Sequence, residues 1–313
     1  MQKLLRSTDA AISDPQHGLV SIQETNMRTE EKVDLVKDSV SGVDEKMEAL
    51  QLEGRRKAFC KWLSAPDPTS NYHRGCRSRQ ANTGIWFIKS KEYIRWKGSS
   101  GSMLWLHGKP GCGKSVLSST IISELHAEYQ PGTQSTVAYF FFDFNDAEKL
   151  TPEHMVRSLI EQLFNSASLT AATLEALFSD CSETNRQPDL DGLLRVLKTI
   201  VSEMPLVYFI VDALDECSDI HQLMSVLTIC QNWSCPQVHT LLTSRRLRAI
   251  EDTIERLAEG RFRIDIQSDL VNRDISTYVH NRLLSDPGLQ RWRNSPNVQE
   301  EIRSVLAKKA DGM

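Results

Sequence analysis

Ser102-Met103-Leu104-Trp105-Leu106-His107-Gly108-Lys109-Pro110-Gly111-Cys112-Gly113-Lys114-Ser115 decides how this chain is read. Its first half is a short apolar run with the composition of a buried strand. Its second half is G-x-x-x-x-G-K-S, from Gly108 to Ser115, and the apolar, periodic segment Val116–Leu125 that follows predicts a helix. Strand, glycine-rich loop and helix in that order make this spacing a phosphate site. The glycines let backbone N–H groups turn inward around phosphate oxygens. The helix N-terminus adds partial positive charge at the same point. Lys114 then reaches the β- and γ-phosphates as a mobile charge, and the Ser115 hydroxyl can ligate Mg²⁺. Gly108, Lys109, Pro110, Gly111, Cys112, Gly113, Lys114, Ser115 and Val116 are the candidate nucleotide-binding residues. Cys112 contributes mainly backbone; a redox role is the minor alternative, since a helix N-terminus lowers thiol pKa values.

Further apolar runs predict four more strands: Thr136–Phe142, Leu206–Val211, Val238–Thr243 and Phe262–Ile266. Helices are expected at Pro152–Asn165, Leu169–Asp180, Asp189–Glu203, Ile220–Asn232, Asn272–Leu284 and Asn297–Lys309. The third strand ends in Asp212-Ala213-Leu214-Asp215-Glu216. An acid at the C-terminal end of a parallel strand sits at the same sheet edge as the phosphate loop. Asp212 is therefore the candidate Mg²⁺ partner with Ser115, usually through water. Asp215 or Glu216 is placed to orient or deprotonate an attacking water. The fourth strand ends in Ser244-Arg245-Arg246, where a cation would face a γ-phosphate; Arg245 is the first choice and Arg246 the alternative.

Toward the N-terminus, Met1–Thr25 is polar and expected to be weakly ordered. Val33, Val36, Val40, Val43, Met47 and Leu50 then follow at alternating spacings of three and four, with Glu and Lys between them. This is either an amphipathic helix packing on its own domain or a coiled-coil, oligomerisation helix. Arg55–Pro66 continues helical, Ser70–Gly75 reads as a loop, and Lys97–Ser102 is a Gly/Ser-rich turn.

The 313 residues suffice for one large domain and a smaller piece, and 40% hydrophobic content supports a real core. A net charge of −4 gives no global pull toward nucleic acid, and no basic stripe carries interleaved aromatics. No run of eighteen apolar residues predicts a membrane span, and Met1–Leu19 lacks the apolar core of a secretory signal. Seven scattered cysteines without a C-x-x-C pair fit a reduced, cytoplasmic protein.

With these features in place, the chain resembles a NACHT-type NTPase, a branch of the signal-transducing ATPases with numerous domains (STAND) that includes the animal NOD-like receptors. The phosphate loop, the double acid after Asp212-Ala213-Leu214, and the strand ending Thr243-Ser244-Arg245 carry the resemblance. Trp62–Pro68, Thr83-Gly84-Ile85-Trp86-Phe87 and Trp105-Leu106-His107-Gly108 are similar to fungal NACHT proteins, which often carry ankyrin or WD40 repeats downstream. The resemblance implies an α/β, three-layer P-loop fold with a parallel five-stranded sheet in the order 5-1-4-3-2. It implies an ATP or GTP switch with diphosphate in the resting state, Mg²⁺, slow hydrolysis, and a role in non-self recognition or cell death. It implies that Thr83-Gly84-Ile85 borders the base. The domain division expected is 1–54 helical and coiled-coil-like, 55–100 linker and N-flank, 101–270 NTPase core, and 271–313 the start of a helical subdomain, with the chain ending in mid-element. Partners expected are nucleotide and either a second copy or a signalling protein on the N-terminal helix. A turnover NTPase and a scaffold with structural nucleotide are the rival functions.

Overall fold

A computed structural model describes residues 15–80, 83–128, 135–166, 187–257, 261–266 and 268–310, with residues 169, 173, 176, 178 and 179. The chain divides after Ala58 into two units. Most of the first is the helix α1, Pro15–Leu63, on which Val40, Val43, Met47 and Leu50 are 52–69% exposed. The segment 15–25, expected to be irregular, is helical, and residues 1–14 lie outside the described residues.

The second unit begins with α2 (Thr69–Ser78), α3 (Ile85–Ile88) and α4 (Lys91–Gly98). The strands β1 (Met103–His107), β2 (Ser135–Phe141), β3 (Leu206–Asp212), β4 (Val238–Ser244) and β5 (Arg261–Asp265) form one sheet. Its order is β2-β3-β4-β1-β5 and every pairing is parallel, as the resemblance implies. Between the strands lie α5 (Lys114–Glu128), α6 (Pro152–Ser166), α7 (Leu190–Ser202), α8 (Ile220–Asn232) and α9 (Arg248–Arg256). After β5 come α10 (Ser268–Ser285) and α11 (Pro296–Ala310). The helix expected over Leu169–Asp180 falls mostly outside the described residues.

Parallel strands need crossovers, so helices cover both faces and the strands read as continuous apolar runs. β1 shows the consequence. All five of its residues are buried, Met103 and Trp105 facing a core with α6, α7 and α8, Leu104 and Leu106 facing one with α3, α4 and α5. The last turn of α1 joins the first core through Phe59 and Leu63, the Phe59 ring lying 4.5 Å from that of Phe164. Trp96 of α4 anchors the second, its indole N–H donating to the Thr240 carbonyl at 3.0 Å.

The expected loop at Ser70–Gly75 is a helical turn within α2. Just before it the Asp67 carboxylate accepts from the Thr69 N–H at 2.9 Å and its hydroxyl at 2.8 Å, an Asx turn that leads into the helix. Packing on α5 sustains it. A Cβ on Gly75 would stand 2.0 Å from Ser119 Oγ and 3.1 Å from the Ser115 carbonyl, so glycine is required by proximity. Gly75→Ala is expected to cost about 1–3 kcal/mol in denaturant unfolding, the range for overpacking a tight contact. Gly98→Ala, with open space around its Cβ, is expected to be neutral within about 0.5 kcal/mol in the same measurement.

Candidate functional site

β1 delivers the chain to the C-terminal edge of the sheet with His107 registered against Ser244 and Asp265. The Gly108 N–H donates to the Ser244 carbonyl at 3.2 Å, which starts the loop at a fixed point. Gly111 and Gly113 have φ of +77° and +88°, a region that costs most other residues energy. A Cβ at Gly108 would meet Cys112 Sγ at 2.7 Å. The loop ends at Lys114, the first residue of the 15-residue helix α5. Lys114 Nζ donates to the carbonyls of Gly108 and Lys109, each at 2.9 Å. The Cys112 thiol is buried, and burial pushes its pKa up while the Lys114 charge pulls it back. Burial outweighs the Lys114 charge and the backbone N–H groups that favour the thiolate, which speaks against the redox alternative.

Asp212 ends β3 beneath this loop and is 1% exposed. Its Oδ2 accepts from Ser115 Oγ at 2.5 Å, and its Oδ1 from Ser118 at 2.7 Å and Thr243 at 2.6 Å. Thr243 Oγ1 also accepts from the Ala213 N–H at 3.0 Å, at a residue with φ of +56°. Burial raises the Asp212 pKa, and the three hydroxyls and Lys114 oppose the rise. Hard oxygens from Ser115 and Asp212 suit Mg²⁺, which takes few protein carboxylates and keeps waters or phosphate oxygens.

The rest of the acidic cluster separates. Asp215 turns to Arg245, accepting from its N–H at 2.8 Å and from its guanidinium Nε at 2.9 Å. Glu216 instead lines a 310 Å³ cavity shared with Ser115, Asp212 and Ala213. Burial pushes its carboxyl up; the Phe144 N–H opposes this, and the charges of Asp215, Asp143 and Asp212 add to it. Of the two acids expected to act on water, Glu216 is the one at the cavity. Arg245 lines neither this cavity nor its neighbour. The one Lys or Arg among the described lining residues is Arg74 of α2, paired with Asp143 at 3.3 Å. Asp143 is pushed up by burial, but hydrogen bonds from Asn145, Asn71 and Arg74 outweigh that and hold it low.

A second cavity of 570 Å³ opens on the other side of the loop. Gly111, Cys112, Gly113 and Val116 form its floor, Thr83, Gly84 and Trp86 one wall, and Asp274 and Tyr278 of α10 another. Asp274 Oδ2 accepts from the Gly84 N–H at 2.8 Å and the Trp86 indole N–H at 3.0 Å, holding the two walls together. Ile85 is not part of the lining. Among the described residues no cluster of three His, Cys, Asp or Glu could hold a metal by itself, and no helix is long and apolar enough to cross a membrane.

Sequence reading missed Ser118, Arg74, Asp143 and Asp274. Ser118 was accessible, one turn after Ser115 on the same helix face. Arg74 and Asp143 are 69 residues apart and Asp274 is 190 from Gly84, so only the fold unites them.

The family model described as nephrocystin 3, N-terminal, matches residues 82–245, which include the loop, the acidic cluster and Arg245. Vegetative incompatibility protein HET-E-1 of Podospora anserina is 25% identical over 234 residues, 72% of this chain and 17% of that protein. Among solved structures, a Walker-type ATPase of Pyrococcus abyssi aligns with TM-score 0.43 and 14% identity over 70% of this chain and 62% of its own. The ORC1 protein of Aeropyrum pernix, in complex with DNA, aligns with TM-score 0.41 and 11% identity over 78% and 65%. This chain thus spans a small part of the curated relative and less than two thirds of either structure.

Asp212→Asn removes a buried charge while keeping an acceptor for the hydroxyls. It is expected to raise the thermal midpoint measured without ligand at pH 7 and to abolish any Mg²⁺ dependence of nucleotide affinity. His107 gives a pH signature. Burial lowers its pKa, and its Nε2 accepts from Arg263 Nε at 2.9 Å, which requires the neutral ring. The unfolded chain therefore takes up a proton that the folded one refuses, so stability is expected to fall as pH drops below 6.5. Urea midpoints at pH 7.5 and 5.5 check this, and His107→Gln should shrink the difference.

Proposed function

This chain belongs to the nephrocystin 3 N-terminal family and is a NACHT-type P-loop NTPase, and from that premise we propose that it is a nucleotide-dependent signalling switch with slow NTP hydrolysis. The observation that carries the reading is the junction of Lys114, Ser115 and Asp212 between two cavities of different character. Phosphates would lie on the loop N–H groups and Lys114. The base and sugar would occupy the larger cavity, bordered by Thr83 and Gly84. The γ-phosphate end would reach the smaller cavity.

Mg²⁺ would be held by Ser115 and, through water, Asp212, and when bound it would neutralise phosphate charge. Glu216, its carboxylate made more basic by burial and neighbouring acids, would orient a water or accept its proton. Arg245 remains the γ-phosphate sensor of this proposal. Its guanidinium is half-exposed and held by one carboxylate, so a phosphate can compete with Asp215 for it. Switching requires that the two nucleotide states be bound with different affinity by two conformations. The contacts of Lys114, Arg245 and Arg74 with the terminal phosphate would supply that difference, a diphosphate holding the resting state. ATP and GTP are both accommodated by this description.

The role in non-self recognition and cell death, the cytoplasmic location and assembly through the N-terminal helix are parts of the same proposal. So is the division into an assembly segment 1–54, a flank 55–100, an NTPase core 101–270 and the beginning of a helical subdomain 271–313.

The test is the nucleotide content and turnover of the purified chain. Denaturation should release a tightly held diphosphate, and phosphate release with Mg²⁺ should be slow, below about one per minute. Lys114→Ala should lose about 10–100-fold in affinity, the worth of a charge-assisted hydrogen bond set. Glu216→Gln should keep affinity and lose turnover. Rapid multiple turnover would replace the switch by an enzyme with steady flux, and wild-type affinity in Lys114→Ala would remove the site.

A further inference from the structure

We infer that α1 pairs with α1 of a second copy of this chain in an antiparallel coiled coil of one defined register; this rests on the reading that α1 assembles the protein. The helix is continuous from Pro15 through residue 58 and beyond, and Met27, Val40, Val43, Met47 and Leu50 on it are exposed. The three-four spacing that runs through Val40–Leu50 extends backward in the sequence to Leu19, Ile22, Asn26 and Thr29. That is a seam of more than four heptads, long enough to supercoil.

The positions flanking the seam choose the orientation. Heptad numbering with Val33 and Val40 at position a puts Glu30, Lys37 and Asp44 at e, and Lys32, Ser39 and Lys46 at g. In an in-register parallel pair each g residue meets the e residue five positions on in the other helix. Lys32 then faces the partner's Lys37, twice by symmetry. An antiparallel pair centred with Val33 against the partner's Val36 sets Glu30 against the partner's Lys37, also twice, and makes no like-charge pair at e or g. Sliding this arrangement one heptad either way brings Lys37 to the partner's Lys37 or Glu30 to the partner's Glu30. In the favoured register Leu19 meets the partner's Leu50 and Ile22 meets the partner's Met47, so the ends are sealed by large apolar pairs. Asn26 meets the partner's Val43. The parallel pair would instead match Asn26 with the partner's Asn26, a contact that specifies register at a cost in stability and does not offset the lysine repulsion.

Charge reversal tests this in the full chain by sedimentation equilibrium. Lys37→Glu sets a second carboxylate against the partner's Glu30 and should weaken the dimer about tenfold. Glu30→Lys with Lys37→Glu should restore it. If Lys37→Glu tightens the dimer, the helices are parallel and the inference is overturned. Val43→Asp with Met47→Asp should abolish dimers in either orientation. A wild-type chain that stays monomeric at 100-fold above micromolar concentration would sink both the register and assembly through α1. Helicity by circular dichroism and nucleotide binding on the same samples separate these outcomes from misfolding or from failure of the phosphate site.

Discussion

One buried carboxylate organises the site. Asp212 brings together β3, which carries it, α5 through Ser115 and Ser118, and β4 through Thr243. A charge in that position is costly unless its oxygens are hydrogen-bonded, and three hydroxyls donate to them. Moving α5 away from β3 would expose two orphaned hydroxyls and an unsatisfied carboxylate. The phosphate loop hangs between β1 and α5, so its shape follows from the same constraint.

This arrangement also sorts the acids and bases around it. Asp215 and Arg245 satisfy each other at the β3–β4 edge, whereas Glu216 lines a cavity with Asp212 and Asp143, and burial raises its pKa. Arg74 enters the same cavity from α2, a helix whose close approach to α5 depends on Gly75. Cationic and acidic groups thus face one another across a small space from three separate parts of the fold.

Much of this was legible in the residues. Gly108–Ser115 between an apolar run and a periodic helix specified the loop, and the C-terminal position of Asp212 on an apolar strand specified its place beside that loop. Five apolar runs specified five strands, because strands of a parallel sheet are buried on both faces. Helix α2 is not legible because polar Ser70–Gly75 has no apolar periodicity; the Asp67 turn leads into it and packing on α5 holds it. Arg74, Asp143 and Asp274 carry no local signature at all. Their meaning lies in side-chain meetings across 69 and 190 residues, which spacing along the chain does not encode.

The larger cavity is built from such long-range meetings. Its floor belongs to the phosphate loop, one wall to Gly84 and Trp86, and the other to α10. The walls are joined by one carboxylate oxygen, Asp274 Oδ2, accepting two N–H groups, and the rest of the lining is mainly apolar. A ligand filling this space touches all three parts, so its binding free energy depends on where α10 lies. The converse holds by linkage: whatever moves α10 changes affinity at the loop. The Asp212 junction is tied by three hydroxyls, whereas α10 meets the opposite wall through the two N–H groups on Asp274 Oδ2. A pocket that bound its ligand equally in every arrangement of its walls would shift nothing.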